Sequence, residues 1–164
     1  SLQSICGSDI QYIRLNMVGG ESRGSKFGAR RSPRNVVFIL GKEKSTNWLR
    51  DDNLSLIPEM SVLTDGESCE KRKPVAIFYE MVLADSDGDG VLSLKDNVVP
   101  AVSDLDGQNL LVFDSSYSQI LEYSFDSSNS ELSLLVKKGG DVYLVSYSVE
   151  NNQMINERKI VGVN

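Results

Sequence analysis

Leu121-Glu122-Tyr123-Ser124-Phe125-Asp126-Ser127-Ser128-Asn129-Ser130-Glu131-Leu132-Ser133-Leu134-Leu135-Val136-Lys137-Lys138-Gly139-Gly140 decides the fold class of this chain. Leu121, Tyr123 and Phe125 alternate with Glu122 and Ser124, which puts the apolar residues on one face of a strand. A polar turn at 126–130 returns the chain into Leu132, Leu134 and Val136. Gly139-Gly140 closes that strand and opens the next, where Tyr143, Val145, Tyr147 and Val149 share a face. Asn151-Asn152 turns again before a last apolar stretch at 155–161. No segment sustains the helical period, so the spacing predicts an all-β fold.

The same grammar runs outward from there. Ile13, Leu15 and Met17 alternate with Arg14 and Asn16. Asn35 to Leu40 is almost continuously apolar, as a strand buried on both faces would be. Gly41-Lys42 turns the chain toward 46–49. The stretch 54–63 holds Pro58, which makes it an edge strand, a bulge or two short pieces. Val75, Ile77, Tyr79, Met81 and Leu83 alternate with Ala76, Phe78, Glu80, Val82 and Ala84, the pattern of a mostly buried strand. Asp106-Gly107 between Ala101-Val102 and 110–113 signals a tight hairpin. The expectation is about ten strands in antiparallel meanders, arranged as propeller-like blades or a sandwich, with closure left open.

At 164 residues the chain suits one β-rich domain, 1–164, with a substantial core. A net charge of −6 argues against nucleic acid as the main partner, because that affinity comes from neutralising phosphates. No run is long and apolar enough for a membrane-spanning helix. Ser1 is not an initiator methionine, so the chain reads as a processed or trimmed product. Cys6 and Cys69 would form one disulfide in an exported protein and stay two thiols in a cytosolic one; both readings stand.

Asp85-Ser86-Asp87-Gly88-Asp89-Gly90-Val91-Leu92-Ser93-Leu94-Lys95-Asp96 matches the twelve-position EF-hand-like calcium loop. A hard cation needs several oxygens, and alternate residues of a tight loop point inward to supply them. Asp85, Asp87, Asp89 and Asp96 offer carboxylates, Val91 its backbone carbonyl, and Ser93 a hydroxyl acting directly or through water. The plainer reading is a polar hairpin. Yet these carboxylates, offset only by Lys95, would repel one another without a cation. Asp96 stands where a longer glutamate is usual, so the cofactor expected is Ca2+, with Mg2+ also admissible. The flanks read as strands. The ion would therefore clamp a strand connection, a structural role, rather than open a helix pair as sensors do.

Residues 19–34 differ in character. Gly19, Gly20, Gly24 and Gly28 are interspersed with Arg23, Lys26, Arg30, Arg31 and Arg34, against Glu21 alone. This basic, flexible loop reads either as a solvated hairpin connection or as an arm docking an anionic partner. No Gly-Lys-Ser/Thr follows it, which excludes a phosphate-binding loop. The chain has no histidine, which removes Ser-His-Asp and Cys-His nucleophiles and histidine zinc sites. Carboxylate pairs remain for acid–base work, with candidates such as Glu80 and Glu122 within strands, although sheet-surface glutamates are far commoner than catalytic ones. The balance leans away from an enzyme. Trp48 is either core filling or a surface anchor for a ligand.

The segment 118–161 has about the length of one four-stranded propeller blade. The strand, Asp-Gly turn and Leu-Val strand of 101–113 resemble blades of the Tol-system periplasmic propellers. That resemblance implies an exported protein with non-catalytic binding surfaces. At ~40 residues per blade the chain holds at most four blades, and the strand count is nearer three. The functional expectation is a calcium-stabilised β-domain, periplasmic or extracellular, serving as a binding or scaffolding module for a protein or glycan. Two alternatives stand beside it. One is a carbohydrate-binding or carbohydrate-active protein with its sugar beside Tyr79, Tyr117 or Tyr123; the other is an anion-docking adaptor using the basic loop.

Overall fold

The computed structural model describes residues 1–16, 32–66 and 68–160, and none of these is helical. Among the described residues twelve strands form three four-stranded antiparallel sheets. β1 (Leu2–Ser4), β2 (Ile10–Leu15), β3 (Asn35–Leu40) and β4 (Ser45–Trp48) make the first. β5 (Leu56–Asp65), β6 (Lys73–Val82), β7 (Val99–Ser103) and β8 (Leu111–Val112) make the second. β9 (Tyr117–Asp126), β10 (Glu131–Lys138), β11 (Asp141–Ser148) and β12 (Gln153–Ile160) make the third. Each strand pairs with its neighbour in sequence, so every sheet is a meander, and none closes into a barrel. Twelve strands rather than about ten reflects chiefly β1, whose three residues are too few to show a period. Met17 and Val161, expected at strand ends, lie outside the described residues.

Turn chemistry sets the register. Asp126 accepts hydrogen bonds from the Ser128 amide (3.0 Å) and the Asn129 side-chain amide (2.9 Å), folding 126–130 back so that Leu132 pairs with Phe125. Pro58 falls inside the register shift between Leu56 and Glu59 on β5, an edge strand, where its missing N–H does no harm. The Asp106-Gly107 turn joins β7 to β8, with Ala101 opposite Val112.

One apolar cluster runs through all three sheets. Val36 and Phe38 of β3, Ile77 and Tyr79 of β6, and Leu132, Leu134 and Val136 of β10 are fully buried in it. Each such side chain contributes about 1.5–3 kcal/mol by leaving water. The second and third sheets meet through Phe78 and Tyr123 (ring centroids 4.5 Å apart) and through Phe113 and Tyr147 (4.8 Å). The first and second meet where the Arg14 guanidinium donates to the Ile57 carbonyl (3.1 Å) and where Gly107 lies on the Phe38 ring. Gly107 has φ +80°, and a Cβ there would run into that ring. Buried Asn35 donates to the carbonyls of Arg50 (2.9 Å) and Asp52 (3.0 Å), fastening the 50–53 connection to β3.

Trp48 does not fill core. It is 53% exposed, at the end of a cross-strand row Leu2, Ile13, Val37, Trp48 on the first sheet's outer face. Phe38 and Val36, on the opposite face of β3, take the interior instead. No helix among the described residues is long and apolar enough to cross a membrane.

Candidate metal centre

The 85–96 loop connects β6 to β7, antiparallel neighbours in the second sheet, so its ends are strands as the flanking sequence requires. Its shape comes from side-chain oxygens accepting backbone amides. Asp85 accepts from Gly88 (2.9 Å) and Asp89 (3.2 Å) on Oδ1 and from Gly90 (2.8 Å) on Oδ2. Asp87 accepts from the Asp89 amide (3.1 Å), and Asp89 from the Val91 amide (2.9 Å). Gly90, with φ +84°, turns the chain where a side chain would be strained.

The result is a trio. Carboxylate oxygens of Asp85, Asp87 and Asp89 lie within 4.8 Å of one another, on three exposed residues. At Asp87 the Asp89 amide pulls the carboxyl down. Desolvation, a hydrogen bond with Asp85 and the charges of Asp89 and Asp96 outweigh it, and the net shift is upward. Three hard oxygen donors so close together could hold a metal ion; they do not by themselves select which one.

Asp96 stands apart from the trio. It is only 2% exposed, and it accepts the amides of Ser86 (2.8 Å) and Asp87 (3.2 Å) on Oδ1 and of Ser93 (2.8 Å) on Oδ2. The Ser93 amide above all, joined by those of Asp87 and Ser86, holds its carboxyl below the usual aspartate range despite desolvation. Asp96 thus fastens the two arms of the loop together. Ser93 Oγ accepts the Lys95 amide (3.1 Å), which makes it a turn cap, and Val91 is exposed. Ser86, which the motif leaves unspecified, does more than the pattern suggests: its Oγ accepts the Asn97 amide (2.7 Å) and closes the loop's base.

The other candidate residues are dispersed. Tyr79 is fully buried with its hydroxyl paired to Ser103 (2.8 Å), and burial pushes that phenol well up. Tyr117 is also buried; it donates to Glu157 (2.8 Å), and burial, then that glutamate, raises it. The Tyr123 ring packs tilted against Phe78, and its hydroxyl pairs with Ser61 (2.6 Å). The Tyr79 and Tyr117 rings are buried and present no free face for a sugar, whereas Tyr123 is half-buried at the edge of the core. Glu80 on β6 and Glu122 on β9 belong to different sheets. Arg23, Lys26, Arg30 and Arg31 lie outside the described residues; Arg34, at the entry to β3, donates its amide to the Leu15 carbonyl (2.8 Å).

Cys6 and Cys69 are joined as a disulfide with Cα atoms 5.4 Å apart. It ties the β1–β2 turn of the first sheet to the β5–β6 connection of the second. Gly7 beside it presses against the Arg72 carbonyl, so the two turns are in close contact. No protein-family model, no curated protein and no solved structure matches this chain.

Proposed function

We propose that this chain is a calcium-stabilised, non-catalytic β-domain that serves outside the reducing cytoplasm as a binding or scaffolding module. The observation that carries the reading is the Asp85, Asp87 and Asp89 trio on a strand connection. A cation there would offset three crowded charges and steady the β6 side of a connection whose two arms Asp96 already fastens, which makes its role structural. The disulfide supports an oxidising compartment, where such bonds persist. The absence of histidine weighs against the commonest acid–base chemistries.

The test is a thermal melt in excess calcium, in magnesium and in chelator, alongside Asp85→Ala and Asp89→Ala. Calcium at a hundredfold above its dissociation constant adds ~2.7 kcal/mol if it binds only the native state, a rise of several degrees. A calcium shift lost in both variants supports the reading. Identical melts in all three buffers, with calorimetry silent, would remove it.

A further inference from the structure

A cleft of about 460 Å³ opens between the second and third sheets, against the 85–96 loop. Pro58 from β5, Glu80 from β6, Leu94 and Lys95 from the loop, and Gln119 and Ile120 from β9 line it. The volume lies within the range of small-molecule sites, ~300–1,000 Å³.

The lining is unusual in its charges. β6 buries Tyr79 and Met81 completely, yet it places a carboxylate between them, half-buried at the cleft wall. Among the described residues no hydrogen bond or ion pair answers Glu80; its direct ladder partner is another acid, Glu59. Burial first, and then the Glu59 charge, push the Glu80 carboxyl up. A charge held in that position without a partner costs stability, which a cationic group entering the cleft would relieve. Lys95, on the loop wall, likewise has no ion pair among the described residues. Asp96 also borders the cleft, but both its oxygens are taken up by amides of the loop itself. Pro58, the 63% exposed Leu94 and Ile120 supply apolar surface beside Glu80 and Lys95, and Gln119 supplies an amide.

We propose that this cleft binds a small zwitterion of about dipeptide size, with its ammonium group on Glu80, its carboxylate on Lys95 and an apolar side chain against Pro58, Leu94 and Ile120. The proposal does not depend on the metal: the charges it uses are those of Glu80 and Lys95, and hydrogen bonds to Asp96 hold the loop that carries Lys95.

The experiment is calorimetric titration of leucyl-leucine into the full chain, in calcium and separately in chelator. The N-acetylated dipeptide and the dipeptide amide each lack one charge and serve as controls. Glu80→Gln and Lys95→Met are expected to weaken binding at least tenfold each, and Lys95→Arg to restore it. Glu80→Gln should no longer distinguish leucyl-leucine from its acetylated form. Glu80→Gln is isosteric and Lys95 is exposed, so the fold is expected to survive both changes, with circular dichroism as the check. Uptake in either buffer with this variant pattern supports the cleft whatever the fate of the metal reading. No uptake in either buffer, or uptake indifferent to both variants, overturns it.

Discussion

Glu59 and Glu80 are direct partners across the β5–β6 ladder, two carboxylates side by side on one sheet face. Like charges opposite one another destabilise a strand pair, and here one of them is also half-buried.

Glu80→Gln should therefore stabilise the protein near neutral pH. Burial and then Glu59 raise the Glu80 carboxyl above its ordinary value, so the native state holds that proton more tightly than the unfolded chain does. The cost of ionisation is absent below the ordinary glutamate range and complete above the raised value. The expected gain at neutral pH is on the order of 0.5 kcal/mol, discounted for partial exposure, and it should vanish in acid. Melting curves across pH check this. Equal stability of variant and parent at neutral pH would count against it.

Asp96→Asn should act in the opposite direction. Amides led by that of Ser93 depress the Asp96 carboxyl, so its stabilisation is present above the ordinary aspartate range and is lost as pH falls through the depressed value. The variant is expected to melt several degrees lower at neutral pH and to converge with the parent in acid. A constant offset at every pH would mean that the amide network, rather than the charge, is what matters.

Breaking Cys6–Cys69 should destabilise the fold by roughly 2–4 kcal/mol through the freed unfolded chain. The bridge spans a sequence separation of 63, long enough for a large loop-closure effect. Urea unfolding of the Cys6→Ser/Cys69→Ser double variant measures it, and a steeper denaturant dependence should accompany the loss. An unchanged midpoint would show that the two sheets hold together without the bridge.

Gly107→Ala should cost roughly 1–3 kcal/mol, since it combines a left-handed backbone with a Cβ aimed at the Phe38 ring. Adding Phe38→Leu should give a total smaller than the sum of the two single changes, because the smaller side chain relieves the collision. Strict additivity in a double-mutant cycle would separate the two residues.

The strands and hairpins were legible because their signals are local. Asp126, Gly107 and Gly139-Gly140 mark turns in the sequence, and period two marks the strands between them. The loop was legible for the same reason: Asp85, Asp87 and Asp89 are close in sequence and close in space. What lay beyond reading depends on which face of a sheet meets another sheet. Trp48 and Phe38 are both aromatic residues on β-strands, yet one is outside and the other fully buried. Tyr79 and Tyr117 looked available for a ligand because their partners, Ser103 and Glu157, are 24 and 40 residues away. Asp96 fits the spacing of a ligand. Its closest partners are backbone amides, which no residue pattern announces.

The amides that Asp85 and Asp96 collect have a kinetic meaning. A cation arriving at this loop would meet a shape already held by hydrogen bonds at 2.8–3.2 Å. With the loop so held, the speed of capture would depend on how fast the ion sheds its own water. Calcium does so readily and magnesium reluctantly. Two ions of equal charge would thus be told apart first by the clock, before any difference in final affinity had time to count.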